Sequence, residues 1–238
     1  MSDRFKYIIF AVVLCTIISI MLTAASTGLQ RFQEKNIYLD RQKNILKSIG
    51  LIAEDRKYTP DAIEKMYKRN IQAVWADPSG KIIENPVSGE QDLPVYLFTK
   101  DNAIKAYVLP INSRGLWGRI MGYLAIESDG STISGFTVYK HSETPGLGGE
   151  IEKNWFQKNF VGKKIVDQEG GFISISIAKG KVSDRIPEVQ QVNTVDGISG
   201  ATLTGKYLTA GMKQILENYE PVSIRFRKNL MQEMPKGG

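Results

Sequence analysis

The segment Asp196-Gly-Ile-Ser-Gly-Ala-Thr-Leu-Thr204 stands directly before the most clearly amphipathic helix in the polar part of the chain. From Tyr207 to Tyr219 the apolar residues recur with the i, i+4 spacing of one helix face. The two glycines of the segment allow a tight turn, and its two threonines place hydroxyl groups where the helix begins. A helix N-terminus attracts phosphate, but Ser and Thr are also ordinary helix caps. The segment therefore predicts a turn and a helix start, which is either a plain cap or an anion site.

An uncharged stretch near the beginning of the chain, Tyr7 to Gln30, predicts a membrane segment. Its core, Ile8 to Ala25, is long enough to span a bilayer as a helix. The alternative is a signal peptide cleaved after Ala25, which would release a secreted domain, but the apolar run is longer than the apolar h-region of a usual signal peptide and favours a retained anchor. We predict a cytoplasmic N-terminus (1–6), a transmembrane helix (7–27), a juxtamembrane helix (28–51), one soluble domain (52–225) and a C-terminal tail (226–238).

The order of elements in the soluble part is typical of an α+β domain with a mainly antiparallel sheet and flanking helices. Short strands joined by tight turns favour antiparallel pairing, and the regular βαβ alternation of a dinucleotide fold is missing. The predicted strands are 71–76, 81–84, 94–99, 103–109, 120–127, 132–139 and 172–178. The predicted helices are 60–69, 152–160 and the one after the opening segment, and 179–195 is predicted to be a loop. The basic residues Arg225, Arg227 and Lys228 are predicted to lie in a solvated tail.

Several functional classes are excluded by composition. Cys15 is the only cysteine and His141 the only histidine, so this chain alone cannot build an iron–sulfur cluster, a cysteine-based zinc site or a multi-histidine metal site. The single histidine and the single cysteine also argue against a Ser-His-Asp or Cys-His catalytic set. The net charge of +6 comes from scattered basic residues without a nucleic-acid motif. We therefore predict no metal, no catalytic residue set and no nucleic-acid partner.

A second unusual stretch, His141 to Glu150, contains Pro145 and three glycines. It is either a flexible loop or a ligand-binding loop. It is not a dinucleotide loop, because the GxGxxG template requires glycine where Ile151 stands, and the chain has no Walker A pattern. The sequence therefore supports no NADH or ATP site of its own.

Both stretches resemble one known family. "DGISGATLT" (196–204) resembles the motif of proteins that carry FMN on a threonine through a phosphoester, and "ETPGLGG" (143–149), "RGLWG" (114–118) and "AKG" (178–180) resemble further segments of the same proteins. With the N-terminal anchor, the resemblance covers nearly the whole chain. The chain looks like the C subunits of Na⁺-translocating NADH:quinone oxidoreductases. A close relative, and the alternative, is the flavin subunit of the Rnf ferredoxin:NAD complex.

The resemblance implies a set of cofactor-binding residues and a covalently bound FMN in residues 52–225. Thr202 would carry the FMN phosphate, and Trp117 and Lys179 would lie near the cofactor. As alternatives, Trp117 is a core residue and Lys179 a solvated strand end. The remaining residues that the resemblance places at the flavin are Glu143, Thr144, Leu147, Gly148, Ser199, Gly200, Ala201, Leu203 and Thr204, of which Thr204 is also predicted to cap the helix.

The resemblance also implies a function. The chain would be an electron-transfer subunit of a membrane enzyme that oxidises NADH, reduces ubiquinone and pumps Na⁺, and it would not be catalytic alone. Its partners would be the membrane subunits, the NADH-oxidising subunit with its flavin and iron–sulfur cluster, and an FAD:protein FMN transferase for maturation. It would lie in the bacterial inner membrane with its soluble domain on the periplasmic side. A non-redox, membrane-anchored binding domain is the alternative from a different class.

Overall fold

The computed structural model describes residues 3–53, 56–87 and 91–231. The chain separates into two units, residues 1–40 and residues 41–238. The first unit consists of most of a long helix, α1 (Asp3–Ser48), and almost all large apolar side chains of this part of the helix are exposed. By length and composition this helix is able to cross a membrane, because an 18-residue window of it has a mean hydropathy of 2.7. An exposed apolar helix of this kind meets the requirements of a single-pass anchor, as predicted.

In the second unit, the last turns of α1 become part of a core. Ile45 and Leu46 are buried with Ile52, and the helix ends where Gly50 adopts a left-handed φ of +73°. The amide of Leu51 then bonds to the carbonyl of Leu46 at 3.0 Å, which satisfies one of the free carbonyls at the helix end. The following helix, α2 (Pro60–Asn70), begins as the sequence predicts, with Pro60 in its first turn.

A six-stranded antiparallel sheet forms the centre of the second unit. Its strands are β1 (Ile71–Ala76), β2 (Ile82–Ile83), β3 (Leu93–Lys100), β4 (Ala103–Arg114), β5 (Arg119–Glu127) and β6 (Ile133–Lys140). In the sheet they lie in the order β2-β1-β3-β4-β5-β6. Residues with positive φ close two of its hairpins, Asp101 and Asn102 in one and Gly130 in another, which is the geometry that tight turns require. The predicted α+β class with an antiparallel sheet is confirmed.

The segment after β6 differs from the predictions. The predicted helix 152–160 is a 3₁₀ turn (Gly148–Glu152) followed by the short helix α3 (Asn154–Lys158). The predicted strand 172–178 is reduced to β7 (Ser176–Ile177), because Ser174 adopts a φ of +76° and breaks the extended backbone. The predicted loop 179–195 contains α4 (Val182–Arg185), α5 (Glu188–Gln191) and β8 (Thr194–Val195), and β8 pairs in parallel with β7.

The final helix, α6 (Thr202–Arg227), shares the hydrophobic core with the sheet from Leu208 to Phe226. It approaches β4 very closely, since a Cβ at Gly211 would lie 1.9 Å from Ser113 Oγ. The helix continues through Arg227, so the predicted solvated tail is wrong at this residue. Arg227 donates to the carbonyl of Gly130 at 2.9 Å and pairs with Glu220. The buried face of α6 comprises Thr204, Leu208, Met212, Leu216, Tyr219, Val222, Ser223 and Phe226.

Candidate functional site

The first turn of α6 presents unsatisfied amide groups next to an exposed threonine. Ala201 occupies the cap position and, as an alanine, has no side-chain acceptor to offer. The first intrahelical bond runs from the amide of Gly205 to the carbonyl of Ala201 at 3.0 Å. The amides of the three preceding residues therefore have no acceptor within the helix. Thr202 and Leu203 are exposed at this point, and Ser199 and Gly200 are exposed just before it.

Thr204 does not cap α6, so the predicted capping role is wrong. It lies inside the first turn with 2% of its surface exposed, and its hydroxyl donates to Glu143 Oε2 at 2.5 Å. The reason is tertiary: a carboxylate from a distant loop takes the hydroxyl that a cap would direct at the helix amides. Of the two threonines in the motif, Thr204 is engaged inside the domain and Thr202 faces outward.

Glu143, the first residue of the "ETPGLGG" motif, connects the "RGLWG" segment with the "DGISGATLT" segment. While Oε2 accepts from Thr204, Oε1 accepts from the backbone amide of Trp117 at 3.0 Å. The amide of Glu143 donates to His141 Nδ1 at 3.1 Å. Because Nδ1 accepts this hydrogen bond, the other ring nitrogen, Nε2, is the one that faces Glu152 Oε2, at 3.2 Å. Hydrogen bonds, first from Lys153 and then from His141, hold the pKa of the Glu152 carboxyl below its usual value. The loop therefore begins at a fixed position.

The loop from Glu143 to Gly149 also contacts the opening segment directly. A Cβ added to Gly200 would lie 2.8 Å from Leu147 Cδ2, so Leu147 rests against that glycine. Leu147 is nevertheless 44% exposed and Leu203 51% exposed. Trp117 is 69% exposed, so the alternative of a core tryptophan is wrong. Leu147 and Leu203 thus remain partly exposed at the start of α6, while Trp117 is exposed at the end of the β4–β5 hairpin.

The segment Ala178–Gly180 lies beside the same turn. The amide of Gly197 donates to the carbonyl of Gly180 at 2.8 Å, and a Cβ at Gly197 would lie 2.0 Å from the carbonyl oxygen of Ala178. Asp196 Oδ1 accepts from the amide of Val182 at 2.7 Å. Lys179 is exposed, next to the residues that contact Gly197. The sequence did not reveal the role of Asp196, because its partner lies in a segment that was predicted to be a loop.

The site residues fit FMN better than a metal ion. Free amides and the hydroxyl of Thr202 suit a phosphate group, and the exposed apolar side chains suit a flat aromatic ring. A groove of about 740 Å³ continues from Trp117 between the end of the β4–β5 hairpin and α6. Within residues 3–53, 56–87 and 91–231, no group of three or more His, Cys, Asp or Glu side chains is placed to hold a metal. Of the other predicted site residues, Thr144 and Gly148 lie in the 143–149 loop, and Ala201 lies in the turn before α6 that this loop contacts.

Comparison with known proteins supports the same interpretation of the site. Residues 115–217 match the family model described as "FMN-binding domain", a range that includes all the motifs above except Arg114. The C subunit of the Na⁺-translocating NADH-quinone reductase of Vibrio campbellii is 33% identical over 237 residues, with 86% of this chain and 87% of that protein covered. The chain belongs to the family of C subunits of Na⁺-translocating NADH-quinone reductases. The predicted family is confirmed.

Another C subunit and two solved structures are also similar to this chain. The protein of Yersinia pestis is 31% identical, with 84% of this chain and 83% of that protein covered. The crystal structure of the C subunit from Parabacteroides distasonis superimposes with a TM-score of 0.70 at 30% identity, covering 82% of this chain and 96% of that one. A structure from Shewanella oneidensis has a TM-score of 0.62 at 21% identity and supports the fold alone.

Proposed function

We propose that this protein carries FMN on Thr202 through a phosphoester bond and serves as one electron-relay station of its quinone reductase complex. The observation that carries the proposal is the difference between the two threonines of the motif. Thr202 is exposed at a helix start with free amides, whereas the hydroxyl of Thr204 is buried and donates to Glu143. Bound FMN supplies the electron-accepting chemistry, and the protein supplies its attachment and surroundings.

Each motif has a defined task in this proposal. The first turn of α6 holds the phosphate against its free amides. Leu147 and Leu203 offer apolar surface to the ring, and Trp117 offers an aromatic face. Lys179 adds a positive charge near the phosphate. These contacts fix the orientation of the cofactor, while the ester prevents its loss.

Attachment requires a second protein. The Thr202 oxygen forms a bond to the FMN phosphorus of FAD, the pyrophosphate bond breaks, AMP leaves, and the hydroxyl proton passes to a base. Asp196, the acidic residue of the motif, is already engaged by the amide of Val182 at 2.7 Å. An FAD:protein FMN transferase is therefore expected to supply the base and the FAD.

A matched set of hydroxyl variants tests the attachment. The full chain is co-expressed with an FMN transferase, denatured on a gel and examined for flavin fluorescence. We expect fluorescent bands for the wild type, for Thr202→Ser and for Ser199→Ala, which removes another exposed hydroxyl. Thr202→Ala should be dark. A fluorescent Thr202→Ala band would contradict the attachment site, and a dark wild type would contradict covalent flavin altogether.

We also propose that the soluble domain faces the periplasm. Val87 is 83% exposed and is suited to labelling once it is replaced by cysteine. In a Cys15→Ala background, a membrane-impermeant maleimide should label Val87→Cys in intact cells. Labelling that occurs only after the inner membrane is broken would place the domain in the cytoplasm.

A further inference from the structure

Glu143 is a buried carboxylate whose two oxygens serve two different segments. Only 4% of the surface of Glu143 is exposed. Oε1 accepts from the backbone amide of Trp117 at 3.0 Å, and Oε2 accepts from the Thr204 hydroxyl at 2.5 Å. Through one side chain, the end of the β4–β5 hairpin is connected to the first turn of α6.

Glycines on two sides make room for this carboxylate. A Cβ at Gly115 would lie 2.5 Å from Glu143 Oε1, and a Cβ at Gly148 would lie 2.8 Å from Oε2. The Cβ at Gly148 would also lie 2.5 Å from Thr204 Oγ1. A Cβ at either position would therefore force the carboxylate or the hydroxyl to move from its present place. The glycines of the "RGLWG" and "ETPGLGG" motifs therefore fit closely around one carboxylate–hydroxyl pair.

We propose that Glu143 is a positioning residue that sets the first turn of α6 relative to Trp117, and that it is not a ligand of the flavin. The inference rests on the proposed attachment of FMN at Thr202 and deepens it. Both carboxylate oxygens point at protein donors in a buried position, so the carboxylate acts on the cofactor only through the segments that it holds.

Helix geometry explains how Thr204 would orient Thr202. Residues two positions apart on an α-helix are separated by about 200° of rotation, so they point to nearly opposite sides. When Glu143 holds Thr204 toward the interior, Thr202 is directed outward, as its exposure shows. The same carboxylate fixes the backbone from which the exposed Trp117 side chain projects. The hydroxyl that would carry the phosphate and the tryptophan that would face the ring thus share one reference point.

The first test uses the unloaded full chain and does not depend on flavin. Amide hydrogen exchange at Trp117 is measured by NMR in the wild type, Glu143→Ala, Thr204→Val and Thr202→Ala. We expect exchange at Trp117 to be at least tenfold faster in Glu143→Ala and a few-fold faster in Thr204→Val, which lets the carboxylate move. Thr202→Ala should match the wild type. Unchanged exchange at Trp117 in Glu143→Ala would overturn the inference.

The second test uses the flavin-loaded chain and separates positioning from direct contact. Iodide quenching of flavin fluorescence and the flavin midpoint potential are measured in Glu143→Gln, Thr204→Val and Thr204→Ser. Positioning predicts that both Glu143→Gln and Thr204→Val increase quenching about twofold or more and shift the potential, while Thr204→Ser, which keeps the hydroxyl, resembles the wild type. If Glu143→Gln alters both quantities and Thr204→Val alters neither, Glu143 contacts the flavin itself and the inference is wrong.

The two tests also distinguish failure of the inference from failure of the proposed function. A wild type without covalent flavin removes the proposed function, yet the exchange measurement still decides whether Glu143 holds the two segments together. The variants Glu143→Gln and Thr204→Val nearly preserve side-chain volume, and circular dichroism melting of each variant reports whether the fold is retained. If Glu143→Ala fails to fold, the exchange comparison is made with Glu143→Gln and Thr204→Val, and unchanged exchange in both overturns the inference.

Discussion

The C-terminal end of α6 is held by contacts that are completed within the domain. The rings of Tyr107 and Phe226 stack with centroids 4.3 Å apart, and the Tyr107 hydroxyl lies 2.7 Å from Ser223 Oγ. Burial raises the pKa of Tyr107 above its usual value, which is consistent with a neutral hydroxyl enclosed in the core. Arg227 then connects the helix end to the carbonyl of Gly130 at 2.9 Å.

The N-terminal end of the same helix is built differently. Its first amides have no intrahelical acceptor, and the apolar side chains of Leu203 and Leu147 beside them are about half exposed. The hydrogen bond between Glu143 and Thr204 is buried at this end of the helix. One helix therefore combines a stabilising end with an end whose groups are available to a ligand. Binding sites are commonly placed in this way, on segments that a rigid scaffold positions.

The largest expected difference between the two ends is in stability. Phe226→Ala removes a buried ring from the core, and we expect a loss of about 3–5 kcal/mol in the free energy of unfolding. Leu203→Ala, at the other end, removes a side chain that is 51% exposed and should change stability by less than about 0.5 kcal/mol. Urea unfolding of both variants makes the comparison. Similar losses at the two ends would contradict it.

A smaller loss of stability is expected when either of two glycines with the same φ is replaced by alanine. Gly200 and Gly146 both have a φ of +73°, but a Cβ at Gly200 meets Leu147, whereas a Cβ at Gly146 meets nothing within 4 Å. Alanine at either position should lose about 1–2 kcal/mol from left-handed strain. Because Leu147 must move in Gly200→Ala alone, we expect that variant to have the lower yield of covalent flavin on denaturing gels. Equal yields would show that the Leu147 contact does not matter for loading.

The smallest expected effect on stability is that of Asp129, which lies in the turn between β5 and β6, far in sequence from Thr202. Asp129 is partly desolvated, which opposes ionisation, but hydrogen bonds from the Thr132 hydroxyl and from backbone amides outweigh this and lower its pKa. The ionised form therefore stabilises the fold above the unfolded pKa of about 3.9, and this stabilisation is lost as the pH falls through the folded pKa. Asp129→Asn should cost less than about 1 kcal/mol at neutral pH, because the group is exposed to solvent.

A pH series checks this last expectation. Melting temperatures of the wild type and Asp129→Asn should differ at pH 6 and converge toward pH 3. A difference that stays constant over this range would mean that the Asp129 charge does not contribute.

The sequence predicted features that depend on neighbouring residues. The antiparallel hairpins follow from local turn residues such as Asp129 and Gly130, and α6 follows from a long amphipathic pattern. The predicted strand 172–178 failed because the alternating isoleucines do not reveal the left-handed Ser174, and because β7 pairs in parallel with a distant segment. Pairing of this kind is set by tertiary contacts that a local pattern does not contain.

The features of the candidate site also divide into those that the sequence predicted and those that depend on tertiary contacts. The motif residues of the opening segment and of the 143–149 loop were identified from the sequence, and the structure brings them together. The inward direction of Thr204 was not predicted, since its partner Glu143 is 61 positions away in the chain. A threonine near a helix start favours a cap when only neighbours are considered. A carboxylate from another loop reverses that preference, and this leaves Thr202 as the outward hydroxyl.

The position of the flavin on the chain tests the proposed attachment most directly. After co-expression with an FMN transferase, trypsin should release residues 186–206, which contain Thr194, Ser199, Thr202 and Thr204. Tandem mass spectrometry should place the whole FMN mass on Thr202 and none on Thr204. Fragment ions that place the FMN on Thr204, Ser199 or Thr194, or an unmodified peptide from protein whose transferase is active, would contradict attachment at Thr202.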